Sequence, residues 1–552
     1  MKLQMILGAA VAVALMGSTA LTAYAAEVPA GTKLAAEQVF KYRVLDNINA
    51  LDPAIVEDVD TSSVVTSLFE GLYNEDSKGN PVPGAAESYT VNADNTVFTF
   101  KLRDAKWSNG DPVTAGDFVF GWQRAVDPAT ASPYAYYLGL VNIVNADKIV
   151  EGTKPDADGK ATQEAMPVTE LGVKAIDDKT LEVTLTAPTP WFVKTLAHAT
   201  LFATPKAVFE KYGADWTKPE NIVSNGAYTL AENTPGERVV LKRNPNYWDN
   251  EHTVLEEVQF LTINDENQGL TRWRAGEVDQ TDVPVGQYPA LKAELPDETF
   301  SVPQFCTYYF SVNMTDTADE AMKNKDVRTA LNLAIDRDVI VNNVLQGGQQ
   351  PAYTFVNPHT AGFTGPDVAA SHMTQAERDA KAVELMTKAG YGKDHPLTLD
   401  YIYNTSEAHK QIATVIGQMW QEKLGVTLQL ADMEFQTLLD MRHQQNYKAL
   451  ARNAWCGDYN EASTFVGLYD SKSEQNDQGW NNPEVDKLLA EAKTAADPNV
   501  QYKRIEEIAA EEVPIMPIYF YAKVFMQKSN VRGWPVDNVE QIWYAKDLYK
   551  VE

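Results

Sequence analysis

From Asp326 onward the sequence alternates between helical and strand-like patterning, and this alternation narrows the possible folds more than any other feature. Over Asp326–Leu345, Val327, Ala330, Leu331, Ala334, Ile335, Val339 and Val341 recur on one broad helical face, and Gly347-Gly348 ends the run. A second helix is expected over Ala376–Ala389, closed by Gly390, and a strand follows at Leu397, Leu399 and Ile402. Glu407–Glu422 reads as a third helix stopped by Gly425, with Val426, Leu428 and Leu430 as the next strand and Phe435–His443 as a further helix. Helix–strand–helix–strand order implies a parallel α/β sheet. It also puts the stretch Ala449–Asn460 at the end of a strand, where the ligand sites of such sheets gather.

That stretch holds a guanidinium, an indole, a thiol and a carboxylate within seven residues, Arg452 to Asp458, with Ala454 and Gly457 small enough to let another backbone approach. Opposite charges spaced along an extended segment suit an extended zwitterion, Asp458 holding an ammonium and Arg452 a carboxylate. The plainer alternative is a strand and turn carrying a surface ion pair worth little.

The N-terminal half reads as mixed. Phe40–Val44 is a strand, and Leu51-Asp52-Pro53 turns the chain. Ser62–Leu72 is a helix capped by Ser62 or Ser63, with Val65, Leu68, Phe69 and Leu72 on one face. Phe98, Phe100 and Leu102 alternate as a strand, Thr114–Arg124 is a short helix, Leu181, Val183 and Leu185 form a strand, and Trp191–His198 starts a helix. Glu237–Arg243 and Val254–Ile263 pair around the turn Asn244-Pro245-Asn246, and the last strand is Ile515–Val524. Thr153–Thr169 is an exposed loop; its Asp156-Ala157-Asp158-Gly159 lacks EF-hand spacing and reads as a turn.

At 552 residues the chain exceeds one core, and two or three domains are expected. Residues 1–25 have the form of a secretory leader: Lys2, an apolar run from Met5 to Met16, and Ala23-Tyr24-Ala25 as the cleavage site. No cysteine near the cut offers a lipid anchor, so an exported chain, free in solution and starting at about Ala26, is expected. Loss of Lys2, the only charged residue in that segment, moves the formal charge from −29 to −30, which argues against nucleic acid and anionic membranes as partners. In an oxidising compartment Cys306 and Cys456 are expected to pair. The bridge would close a loop of about 150 residues, worth up to ~5 kcal/mol of chain entropy; a metal site is the poorer alternative without a histidine cluster.

The chain contains no H-E-x-x-H, no phosphate loop and no G-x-S-x-G, and its seven histidines are scattered. No cofactor and no metal are expected, and a secreted hydrolase is the weaker reading.

Several stretches together carry a family resemblance: Phe69-Glu70-Gly71-Leu72, Phe98-Thr99-Phe100, Ala105-Lys106-Trp107-Ser108-Asn109-Gly110, Asn225-Gly226-Ala227-Tyr228, Asn246-Tyr247-Trp248-Asp249-Asn250 and Tyr403-Asn404-Thr405-Ser406. From about Val28 to the C terminus the sequence resembles the large solute-binding proteins, family 5, that feed peptide ABC importers, and Arg452–Asn460 with both cysteines is most similar to their oligopeptide-binding members. The resemblance implies a periplasmic-binding-protein-like α/β fold, with two α/β lobes joined by a hinge and an extra, smaller α+β lobe. The implied division is 26–69, 205–305 and 525–552 for the first lobe, 70–204 for the extra one and 306–524 for the third. It further implies a monomer in the periplasm of a Gram-negative cell that encloses short peptides in extended form and delivers them to an inner-membrane ABC permease, without enzyme activity. A murein-tripeptide receptor is the alternative.

By the same resemblance Asp458 meets the peptide ammonium. Arg452 and His409 meet a C-terminal carboxylate, with Arg442 near the same end. Ala454, Trp455 and Cys456 line the peptide strand, and Val59, Glu57 and Tyr134 contact it from the other jaw. The sequence departs from the family pattern at Leu345, where oligopeptide receptors carry a lysine, and around Thr281-Asp282-Val283-Pro284, where they carry an asparagine pair.

Overall fold

The computed structural model describes residues 26–151 and 166–552. The leader segment and most of the Thr153 loop, with Asp156–Gly159, lie outside the described residues.

One large mixed sheet organises the molecule. Its strands lie in the order Val426–Met433, Leu397–Asn404, Leu450–Cys456, Thr299–Val312, Ile515–Gln527, Gln280–Asp282, Val39–Val44, Glu257–Thr262, Arg238–Arg243 and Tyr228–Thr234. The alternation beginning at Asp326 builds the first edge as expected: Leu397–Asn404 is parallel to both Val426–Met433 and Leu450–Cys456. Val39–Val44 is likewise parallel to its neighbours Glu257–Thr262 and Gln280–Asp282. Between these parallel regions run two long antiparallel partners, Thr299–Val312 and Ile515–Gln527, of 14 and 13 residues. Strands average about 5–6 residues, so these two are long enough to serve both halves of the sheet. Their register shifts between Pro303 and Thr307 and again between Tyr308 and Tyr309, and such irregularities bend a strand pair. The boundaries expected at 305/306 and 524/525 fall inside these two strands. A separate antiparallel sheet of four strands, Ala86–Val91, Val97–Leu102, Thr180–Thr184 and Val173–Asp177, lies within residues 70–204.

Helices cover the sheet where their apolar faces dictate. Val327, Ala330 and Leu331 of Lys325–Ala334 join Ile412, Ile416 and Trp420 of Glu407–Leu424 in one buried cluster with Tyr308, Phe310 and Tyr401 of the sheet. The turn Leu51-Asp52-Pro53 is pinned from two directions. Arg124 donates to both Asp52 oxygens at 3.1 and 2.7 Å, and the Trp216 indole N–H donates to Oδ2 at 2.9 Å.

Two helices differ from the sequence expectation. Asp326–Leu345 is not continuous: Lys325–Ala334 ends at Ile335, which is extended, and Asp336 caps a new start by accepting from the Val339 N–H at 3.1 Å. The chain then runs through Arg337–Val339 into a wide turn over Ile340–Leu345. The apolar periodicity spans the break because both segments bury the same side, so it conceals the cap. The helix expected from Ser62 starts at Val59, with Asp58 rather than a serine accepting from the Thr61 N–H at 2.8 Å, and stops at Leu68 because Phe69 is extended.

Candidate functional site

The strand Leu450–Cys456 carries the site. It lies antiparallel to Thr299–Val312 with Cys456 directly opposite Cys306, and the two are disulfide-bonded. Its side chains alternate, with Ala451, Asn453 and Trp455 buried and Arg452, Ala454 and Cys456 partly open. On its other side, Leu397–Asn404 pairs with it only at Leu450 and Ala451. From Arg452 to Cys456 that edge has no ladder partner among the described residues; the Ala454 N–H is met instead by the Asn453 side-chain oxygen at 2.8 Å. An unpaired strand edge is a template for an added strand.

Gly457 turns the chain after the strand. A Cβ there would lie 2.1 Å from the Phe305 ring, so only glycine fits. The turn buries Asp458, whose side chain is 7% exposed. The Tyr134 hydroxyl donates to Oδ1 at 3.2 Å, and the Thr464 hydroxyl donates to Oδ2 at 3.3 Å while accepting from the Asp458 N–H at 2.9 Å. His198 Nε2 stands 3.6 Å from Oδ1. Its Nδ1 accepts from the Thr200 N–H at 3.4 Å, which places the single ring proton on Nε2, facing the carboxylate. Burial drives the His198 pKa down to about 3, so the ring is neutral. Burial likewise raises Asp458 to about 7 against the pull of Tyr134 and Thr464. Asp458 is therefore a desolvated carboxylate supplied with hydrogen bonds but, among the described residues, with no cation. The surface ion pair considered for Arg452 and Asp458 is not what forms.

Arg452, partly open, likewise has no carboxylate at ion-pair distance among the described residues. One guanidinium nitrogen donates to the Tyr521 hydroxyl at 3.2 Å, and its carbon lies 5.5 Å over the Tyr308 ring. His409 sits 5.6 Å from that same ring, and burial plus the Arg452 charge hold its pKa well below the usual imidazole range. Of these two expected carboxylate partners, only Arg452 carries charge.

Arg442 lies near Arg452, as expected, and its own contacts are within the protein. Its Nε lies 3.1 Å from Asp477, and Nη1 donates to the Asn453 side chain at 2.6 Å and to the Arg452 carbonyl at 3.3 Å, behind the strand. Asp477 pairs with it because both are buried and neither has water to turn to. Glu57 reaches the same network: His443 Nε2 stands 3.6 Å from Glu57 and 3.8 Å from Asp477. Burial raises the Glu57 pKa, opposed by His443 and Arg442. Tyr134 stacks on Trp455 at 6.1 Å, and Val59 stands 59% exposed at the start of its helix. The structure thus gathers Asp458, Tyr134 and Trp455 at one end, and Arg452 with His409 at another. Arg442 and Glu57 lie in a supporting polar network.

Sequence reading missed His198, Thr464, Tyr308, Tyr521, Asp477 and His443. Thr464 sits six positions after Asp458 and the others are scattered, so no local spacing singles them out. Of the two departures from the family pattern, Leu345 touches the chain two residues beyond the Thr281–Pro284 stretch. The Gly286 N–H donates to the buried Leu345 carbonyl at 3.3 Å. Four residues earlier, Asp282 bonds to Arg43 at 2.5 Å and to Lys523 at 3.0 Å. Burial opposes ionisation of Asp282, but Lys523 and Arg43 together hold its pKa below the ordinary value.

Comparison with known proteins places this geometry in context. Residues 80–477 match the model of bacterial extracellular solute-binding proteins, family 5 (middle). The chain is 41% identical to the periplasmic oligopeptide-binding protein OppA of Salmonella typhimurium over 557 residues, covering 99% of this chain and 98% of that protein. Its structure superposes on the Escherichia coli murein tripeptide-binding protein MppA with a TM-score of 0.89 at 40% identity, covering 94% of this chain and all (100%) of that one. Haemophilus influenzae OppA in complex with the peptide RPPGFSPFR gives 0.89 at 38% identity with the same coverage, 94% and 100%. An unliganded open form of MppA gives only 0.65 at 40% identity, covering 95% and 99%.

Proposed function

The chain belongs to the family 5 bacterial extracellular solute-binding proteins, and from that premise we propose that it is a periplasmic receptor that encloses short peptides in extended form and hands them to an ABC importer. The observation that carries this reading is Asp458. A carboxylate desolvated to this degree, with donors in place and no cation among the described residues, is matched by a ligand ammonium. The open edge from Arg452 to Cys456 supplies main-chain partners that do not read side chains, which is how an added strand binds independently of its sequence. Arg452 takes a carboxylate further along.

The lobes are 26–69 with 205–305 and 525–552, then 70–204, then 306–524. The two long strands that cross between the first and third lobes act as the hinge. Peptide contacts from both sides favour the closed arrangement by a population shift. Better agreement with the MppA and OppA structures at 0.89 than with the open form at 0.65 supports reading this arrangement as the closed one. The receptor works as a monomer without catalysis, and the leader is cleaved near Ala25.

Mass spectrometry of what the purified protein releases on denaturation tests this function. A mixed set of peptides a few residues long is the expected result. A single diaminopimelate-containing species would assign murein peptide instead, and release of a non-peptide solute would overturn the reading.

The raised carboxylates also set a pH dependence. Asp458 has a folded pKa of about 7, above its unfolded value, so the ligand-free protein holds extra protons between about pH 4 and 7 and loses stability as pH rises through that window. A bound ammonium requires the ionised form, so binding expels the proton and affinity has the opposite slope. Peptide affinity is expected to rise from pH 5 to 7, by at most about tenfold per pH unit for one proton. It then levels off as the peptide's own amine begins to titrate near pH ~8. Calorimetry across this range checks it; a flat profile would exclude Asp458 as the ammonium partner.

A further inference from the structure

A second unmatched acceptor site lies near Arg452. Asp46 follows the strand Val39–Val44, and its Oδ2 accepts from the Asn404 side-chain N–H at 3.4 Å, across the seam between the proposed first and third lobes. Asn404 is the last residue of its strand and 1% exposed, and its Oδ1 has no hydrogen-bond partner. A buried amide oxygen left without a donor is costly. The carboxylates around Asp46 are all engaged elsewhere. Asp60 accepts from the Leu45 N–H at 2.8 Å, Asp58 from the Thr61 N–H at 2.8 Å, and Glu434 from the Thr437 N–H at 3.1 Å. Among the described residues Asp46 has no lysine or arginine at ion-pair distance. Burial, reinforced by Asp60, raises its pKa to about 7, and the Arg452 charge acts against that rise.

Asn404 Oδ1 thus has no donor among the described residues, and the Asp46 carboxylate beside it has the Asn404 N–H at 3.4 Å but no cation. Anions are repelled by Asp46 and its acidic neighbours, and a neutral apolar side chain leaves the Asn404 oxygen unpaired and the Asp46 charge uncompensated. An ammonium brings three donors and the matching charge. We propose that Asp46 and Asn404 form a cation subsite near Arg452, taking the ammonium of a lysine-like side chain towards the carboxyl end of the bound peptide. This rests on the peptide reading above and narrows it: the preferred cargo carries a basic side chain there, with the carboxylate on Arg452 and the ammonium on Asp46.

The test is calorimetry on the mature chain with Ala-Ala-Lys and Ala-Lys-Ala, each against its twin carrying norleucine for lysine. In the wild type, lysine at one of the two positions is expected to bind roughly tenfold or more tighter than norleucine. In Asp46→Asn that ratio falls to about one, while Asp46→Glu keeps part of it; thermal unfolding of each variant verifies its fold. Equal affinities for lysine and norleucine in the wild type, or a ratio unchanged in Asp46→Asn, overturn the subsite and leave the peptide reading standing. Failure of every peptide, Ala-Ala-Ala included, overturns both.

Discussion

Replacing Asp458 with alanine is expected to weaken binding of a free-amine peptide by about 2–5 kcal/mol, because a desolvated ammonium then lies without its counter-charge. Asp458→Asn is the sharper variant. It keeps the volume and removes the charge; its one oxygen accepts from either the Tyr134 or the Thr464 hydroxyl, which lie at 3.2 and 3.3 Å, and the other hydroxyl turns to accept from the new amide N–H. The same variant should not destabilise the ligand-free protein at pH 8. With a folded pKa of about 7, the ionised carboxylate opposes folding there, and the neutral amide does not. Lost affinity with retained or improved stability separates a ligand contact from a structural one. Near-wild-type affinity in calorimetry would remove Asp458 from the site.

The second large effect is structural. Arg337 is 1% exposed, and every donor group it has is used on neighbouring oxygens. Nε reaches the Ala352 and Pro517 carbonyls at 2.6 and 3.0 Å, Nη1 the Asn332 and Ile335 carbonyls at 3.1 and 3.3 Å, and Nη2 the Pro517 carbonyl at 2.7 Å. These carbonyls belong to the broken helix end, the segment after Gln350–Pro351 and the long strand Ile515–Gln527, so one guanidinium joins three pieces of chain. No carboxylate stands at ion-pair distance from it among the described residues, and burial lowers its pKa to about 10. Arg337→Met fills the volume but strands several buried carbonyls, and a loss of about 3–5 kcal/mol in unfolding free energy is expected. Urea denaturation followed by tryptophan fluorescence checks it; an unchanged midpoint would show that water takes over these bonds.

The parts of the fold legible in the sequence are those written in local periodicity. Leu397, Leu399 and Ile402 with the following helix and strand announce a parallel unit, and that unit forms. The break at Ile335-Asp336 escaped notice because an unbroken apolar face on either side masks a single capping aspartate. The continuity of the sheet was hidden for another reason: Thr299–Val312 and Ile515–Gln527 are more than two hundred residues apart, and nothing local tells one that it will meet the other. At the site, Asp458 and Arg452 stood out by charge within an apolar stretch. The opposite signs suggested a mutual pair, whereas burial separates them and leaves each seeking an external partner. Arg442 shows the converse. The family resemblance made it a candidate near the carboxyl end of the ligand, and Asp477, 35 positions away in sequence, pairs with it.

The most direct measurement is the affinity of one bound peptide against its N-acetylated twin, by calorimetry on the mature chain at pH 7.5. Acetylation replaces the ammonium by a neutral acetamide and leaves the rest of the strand as it was. A loss of at least about thirtyfold, matching the lower end of the cost of an unpaired buried charge, is expected, together with loss of the pH slope. Equal affinity for the two peptides would contradict the assignment of Asp458 as the group that reads the peptide's amino end.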